Sequence, residues 1–113
     1  MAQKVLDLLC DEVAGCKTAA FVDLSTRMVL VTNGTNTESQ DTLNEMCQEA
    51  ELMLVGGDTA MVATSGHMRL YLRDDAEPND ALCCVCETDT NFPELIAKAK
   101  ACLSEISNVS GND

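Results

Sequence analysis

Six consecutive residues, Ala81-Leu82-Cys83-Cys84-Val85-Cys86, are apolar. The run has the length of a strand, and a strand that is apolar on both faces has to be covered on both faces. A fold built around it must lay something against each side of a sheet. The rest of the chain supplies flanking strands and amphipathic helices to do so.

Residues 2–16 read as a helix. Ala2, Val5, Leu6, Leu9, Val13 and Cys16 fall within one sector of about 100°, and Gly15 begins its termination. Ala19 to Leu24 and Met28 to Thr32 are strand-like, joined through Ser25-Thr26-Arg27, and Asn33-Gly34 is a turn signal that closes the pair. A second helix follows. Thr37-Glu38-Ser39-Gln40 has capping-box spacing, with Thr37 as the cap. Leu43, Met46, Cys47, Ala50, Met53 and Leu54 make a stripe about 120° wide, and Gly56-Gly57 stops the helix. Leu52 and Val55 lie off that stripe.

Thr59 to Thr64 and His67 to Arg73 form another hairpin around Ser65-Gly66. In its second strand Met68, Leu70 and Leu72 alternate with His67, Arg69, Tyr71 and Arg73. The acidic loop 74–80 leads to the apolar strand. The last helix starts at Asn91, with Pro93 and Glu94 in its first turn, and buries Leu95, Ile96, Ala99, Cys102, Leu103 and Ile106. The order is α-β-β-α-β-β-β-α. It predicts an α+β sandwich, a five-stranded antiparallel sheet with helices on both faces. Residues 1–107 make the single domain and 108–113 a flexible tail.

Composition narrows the function. The sequence has 113 residues, with 7 basic and 19 acidic ones, net −12. Nucleic acid and anionic membrane surfaces are poor partners for such a chain, since their affinity comes from clustered Lys and Arg. A partner with a basic face fits better. No apolar run is long enough for a membrane span. The N-terminus lacks the apolar core of a signal peptide, so the expected location is the cytoplasm and the seven cysteines are expected as free thiols.

Chemical motifs are sparse. Cys83 and Cys86 have C-x-x-C spacing, but residues three apart on a strand point to opposite faces and cannot share a zinc ion or a disulfide. Cys84 and Cys86 share a face but make only half a metal site. The cysteines read as small buried apolar side chains. His67 follows a turn with no positioned nucleophile and acid beside it. No phosphate-binding glycine motif is present. The expectation is no catalytic residue, no cofactor and no metal.

The first hairpin, Ala20-Phe21-Val22-Asp23-Leu24-Ser25-Thr26-Arg27-Met28-Val29-Leu30, resembles that of the Roadblock family, named for a dynein light chain. So does the segment from Ala81 through Cys86-Glu87-Thr88-Asp89-Thr90-Asn91-Phe92. The resemblance covers about residues 2–107. Arg27 stands near the place of a turn glycine usual in the family, which implies a differently built turn. The resemblance implies a symmetric dimer, paired through the second helix and the neighbouring edge strand. Those positions here are Leu52 and Val55 with Thr59, Ala60, Met61, Val62, Ala63 and Thr64. It also implies a non-enzymatic regulator or scaffold of a small Ras-like GTPase or of a motor or motility complex. Activation by an arginine finger would draw on Arg27, Arg69 or Arg73. The loop acids Asp74, Asp75 and Glu77 are the expected partner contact. The alternatives are a small-ligand sensor of profilin or PAS type, which needs a cavity, and a cysteine redox enzyme.

Overall fold

The apolar strand lies at the centre of the sheet, as its two apolar faces require. The computed structural model describes the backbone of residues 2–111 and the side chains of residues 2–107. The elements are α1 (Ala2–Glu12), β1 (Cys16–Asp23), β2 (Met28–Thr32), α2 (Gln40–Met53), β3 (Thr59–Thr64), β4 (His67–Arg73), β5 (Asp80–Cys86) and α3 (Phe92–Gly111). The five strands are ordered β2-β1-β5-β4-β3, and every neighbouring pair is antiparallel.

The pleat of β5 divides the core in two. Leu82, Cys84 and Cys86 join Leu6 and Leu9 of α1 and Leu95, Ala99, Leu103 and Ile106 of α3. Ala81, Cys83 and Val85 face the other way, toward Leu43, Met46, Cys47 and Ala50 of α2. Each fully buried leucine contributes about 1.5–3 kcal/mol through its removal from water, so both layers stabilise the sheet.

Several boundaries differ from the sequence reading. The first helix stops at Glu12 rather than 16 because β1 begins at Cys16, paired with Cys86. Gly15 makes the change of direction at φ 96°, and a Cβ there would overlap Thr90 Oγ1. The cap of α2 is Ser39, not Thr37; its hydroxyl accepts from the Thr42 amide at 3.1 Å. Asn36 Oδ1 accepts from the Glu38 amide at 2.9 Å, which holds residues 36–38 in a side-chain-closed turn outside the helix. Residues 108–111 continue α3 instead of forming a tail, because no helix breaker occurs before Gly111. Asn112 and Asp113 lie outside the described residues.

The turn at Asn33 does more than close a hairpin. Its buried side chain accepts from the Ala19 amide at 3.0 Å and donates to the Lys17 carbonyl at 3.2 Å. Asp7 on α1 accepts from the Gly34 amide at 2.7 Å. One turn thereby ties α1 to the β1 and β2 edge of the sheet.

Candidate functional site

Leu52 and Val55 stand out of the protein, 76% and 79% exposed. The inner stripe of α2 turns toward Tyr71, Cys83 and Val85, which leaves the outer side of its C-terminal turn to solvent. Met53 joins them at 47% exposure, although its helical spacing places it on the inner stripe. The helix ends here: Leu54 has left helical geometry at φ −92° and ψ 9° and is fully buried. Gly56 then turns the chain at φ 79° into β3.

Strand β3 is an edge of the sheet, hydrogen-bonded to β4 alone among the described strands. Its sequence, Thr59-Ala60-Met61-Val62-Ala63-Thr64, carries no charge to deter a second strand. Ala60 and Val62 lean on the α2 layer. Thr59, Met61 and Ala63 are exposed on the opposite face. The six edge positions and the Leu52–Val55 turn are thus joined by one short connection.

A polar network fixes α2 to the sheet behind this surface. Tyr71 is fully buried, and its hydroxyl donates to Glu49 Oε1. Arg69 Nη1 donates to the same oxygen at 3.1 Å and to Glu45 Oε1 at 3.4 Å. Burial and the neighbouring Glu49 carboxylate push the Tyr71 hydroxyl well above the ordinary phenol range. Arg73 Nη1 donates to the Leu54 carbonyl at 3.0 Å, which satisfies an acceptor at the end of α2. Strand alternation puts Tyr71 on the polar side of β4. Its burial depends on α2, which is remote in sequence.

The three arginines are all engaged within the chain. Arg69 and Arg73 hold α2, and Arg27 pairs with Glu51 on that helix at 2.7 Å. Arg27 adopts φ 57°, the left-handed conformation that a glycine gives most readily, so the turn keeps a glycine-like backbone in spite of its side chain. The arginine accepts that backbone and is tied down by Glu51.

The acidic loop closes on itself. Asp74 Oδ2 accepts from the Glu77 amide at 2.9 Å, while Asp75 and Glu77 remain exposed. With Arg73, Lys100, Leu103 and Ser104 the loop frames a hollow of about 150 Å³. A second hollow of about 250 Å³ lies among Arg27, Gln48, Glu51 and Leu52. Ligand cavities usually span about 300–1,000 Å³ and enclose most of the ligand. Neither hollow has the size that the sensor reading asks for. His67 is an exposed residue after the tight turn. Among the described residues no three His, Cys, Asp or Glu side chains converge as metal ligands. No described helix is long and apolar enough to cross a membrane.

No family model matches the chain, and no curated protein does. Solved structures do. A Roadblock/LC7 domain from Streptomyces avermitilis superposes with a TM-score of 0.77 at 11% identity, covering 95% of each chain. MglB from Myxococcus xanthus gives 0.79 at 12% identity, over 99% of this chain and 96% of its own. The gliding protein MglB of Thermus thermophilus gives 0.78 at 11% identity, over 99% of this chain and 90% of its own. At these identities the likeness is one of backbone architecture, extending over nearly the whole chain. With its central apolar strand, its α2 layer and its open β3 edge, this chain has the Roadblock/LC7 fold.

Proposed function

We propose that the chain acts as a homodimer, paired through α2 and the β3 edge, that regulates or scaffolds a small Ras-like GTPase or a motility or motor complex without chemistry of its own. The observation that carries the pairing is the surface of Leu52, Met53 and Val55 beside an uncharged, unpaired strand edge. Neighbouring exposed apolar side chains favour contact with a partner, and an open edge favours strand addition. A two-fold axis would place the same patch against itself.

The fold shared with proteins named for gliding supports the choice of partner class. The intramolecular engagement of Arg27, Arg69 and Arg73 favours a positioning role over donation of an arginine finger. The net charge of −12 favours a partner with a basic face, and Asp75 and Glu77 are free to meet it.

The test is capture from native lysate followed by GTPase assays on the captured protein, with and without this chain. Recovery of a GTPase or complex subunit whose nucleotide turnover or assembly responds to the chain supports the proposal. Recovery of a bound small molecule, with no such subunit, moves the reading to a sensor. A monomer at micromolar concentration removes the dimer.

A further inference from the structure

Five of the seven cysteines gather on one side of the sheet, beneath α1 and α3. Cys16, Cys84 and Cys86 are buried there, and Cys10 and Cys102 pack against them from the two helices. The proposed regulatory role uses none of them. Within the group, Cys10 Sγ and Cys16 Sγ are 3.7 Å apart. Their spacing gives no C-x-x-C signature, because the turn between α1 and β1 is what brings them together.

We propose that Cys10 and Cys16 are a modification site, a thiol pair that closes to a reversible disulfide on exposure to hydrogen peroxide. An S–S bond is about 2.0 Å long, so the two sulfurs must move closer. Cys10 is placed to make that movement. It is half-buried, and α1 ends two residues later at Glu12. Cys16 is buried at the first position of β1 and is held by backbone pairing to Cys86. Cys84 is the other near neighbour, but it sits inside β5 between β1 and β4, without a mobile end.

Access sets the order of events. The Cys10 sulfur attacks one oxygen of the peroxide. The S–O bond forms and the O–O bond breaks. The departing hydroxide takes the Cys10 thiol proton as water, leaving a sulfenic acid. The Cys16 sulfur then attacks Cys10 Sγ, and the S–O bond breaks. The second hydroxide leaves with the Cys16 proton as water. Two thiols are oxidised to one disulfide and the peroxide is reduced to two waters.

The surroundings make the pair slow to react at rest. The Cys16 thiol, burial, and the carboxylates of Asp7 and Asp11 all hold the Cys10 proton on sulfur. The remaining titratable neighbours, Cys84 on β5 and Cys102 on α3, are themselves held protonated.

The test treats the native, reduced chain with hydrogen peroxide, then denatures it, alkylates the remaining thiols, and cleaves after Glu12, which separates the two cysteines. The expected result is a linked pair of peptides joining Cys10 and Cys16, lost on treatment with dithiothreitol, with the free-thiol count down from seven to five. Cys10→Ser should abolish the link with an unchanged circular dichroism spectrum. Cys16→Ser should leave a sulfenic acid at position 10 that dimedone traps, and Cys102→Ser should change nothing. Seven alkylated thiols under peroxide that oxidises a model peptide thiol would overturn the proposal. So would a link from Cys10 to Cys84 or Cys102.

Discussion

Arg27 and Glu51 join the first hairpin to the outer side of α2 through two hydrogen bonds, 2.7 Å from Nε and 3.3 Å from Nη2. The pair sits one residue before Leu52, on the face proposed for pairing. Arg27 holds a left-handed backbone to make this contact. A hydrogen bond from the guanidinium keeps the Glu51 carboxyl below its ordinary value.

This predicts an unusual ranking of substitutions. Arg27→Gly relieves the backbone while losing an exposed ion pair, two effects that oppose one another. Arg27→Val loses the pair and puts a β-branched residue in the left-handed region, costing about 1–2 kcal/mol or more. Chemical denaturation of both variants checks it. A valine variant as stable as the glycine variant would show that this backbone carries no strain.

Leu52→Asp and Val55→Asp should shift sedimentation from dimer to monomer. In a two-fold interface each substitution places two like charges near each other in an apolar patch. A loss of about 2 kcal/mol weakens dimerisation by roughly thirtyfold. An unchanged mass at micromolar concentration would place the interface elsewhere.

Tyr71→Phe should destabilise by about 1–3 kcal/mol, because it deletes a buried hydrogen bond to a carboxylate. Glu49 keeps Arg69, so α2 stays seated and the spectrum stays native. Urea unfolding measures the loss. A neutral result would mean that Arg69 alone secures Glu49.

Stability should fall on the alkaline side. Burial pushes the Cys83 thiol above its ordinary 9.0; for Cys84 the hydrogen bond with Cys16, and then burial, act in the same direction. The unfolded chain ionises these thiols near pH 9 while the folded chain keeps them protonated. Their contribution is complete below pH 9 and is lost as pH rises toward the folded values. Each such thiol steepens the loss by up to about 1.4 kcal/mol per pH unit. Urea midpoints between neutral pH and pH 10 follow it, and Cys83→Ala should flatten the slope. A flat profile for the parent protein would show that these thiols ionise equally in both states.

Salt should slow association with the basic partner. Screening lengths shrink from about 10 Å at 0.1 M to about 3 Å at 1 M. Reversing Asp75 and Glu77 to Lys should lower the association rate further if the loop guides encounter. A rate indifferent to both changes would exclude the loop from the contact.

The element order, the central place of β5 and the division of its cysteines between two faces were legible in the sequence. Each follows from local rules: a two-residue pleat, a helical period, and turn residues with few backbone choices. Thr59–Thr64 and His67–Arg73 were read to the residue because a tight glycine turn and clear flanking breaks bound them. The exposed side of Leu52 and Val55 was legible for the same reason. What lay beyond local rules was decided by packing. Met53 is half-exposed where the helix ends, beside a fully buried Leu54. Tyr71 was buried by a helix whose Glu49 lies 22 positions away. The pairs Arg27–Glu51 and Cys10–Cys16 follow no short spacing rule. Their side chains meet only once the turns around them have brought separate elements together, and that convergence is a property of the tertiary fold.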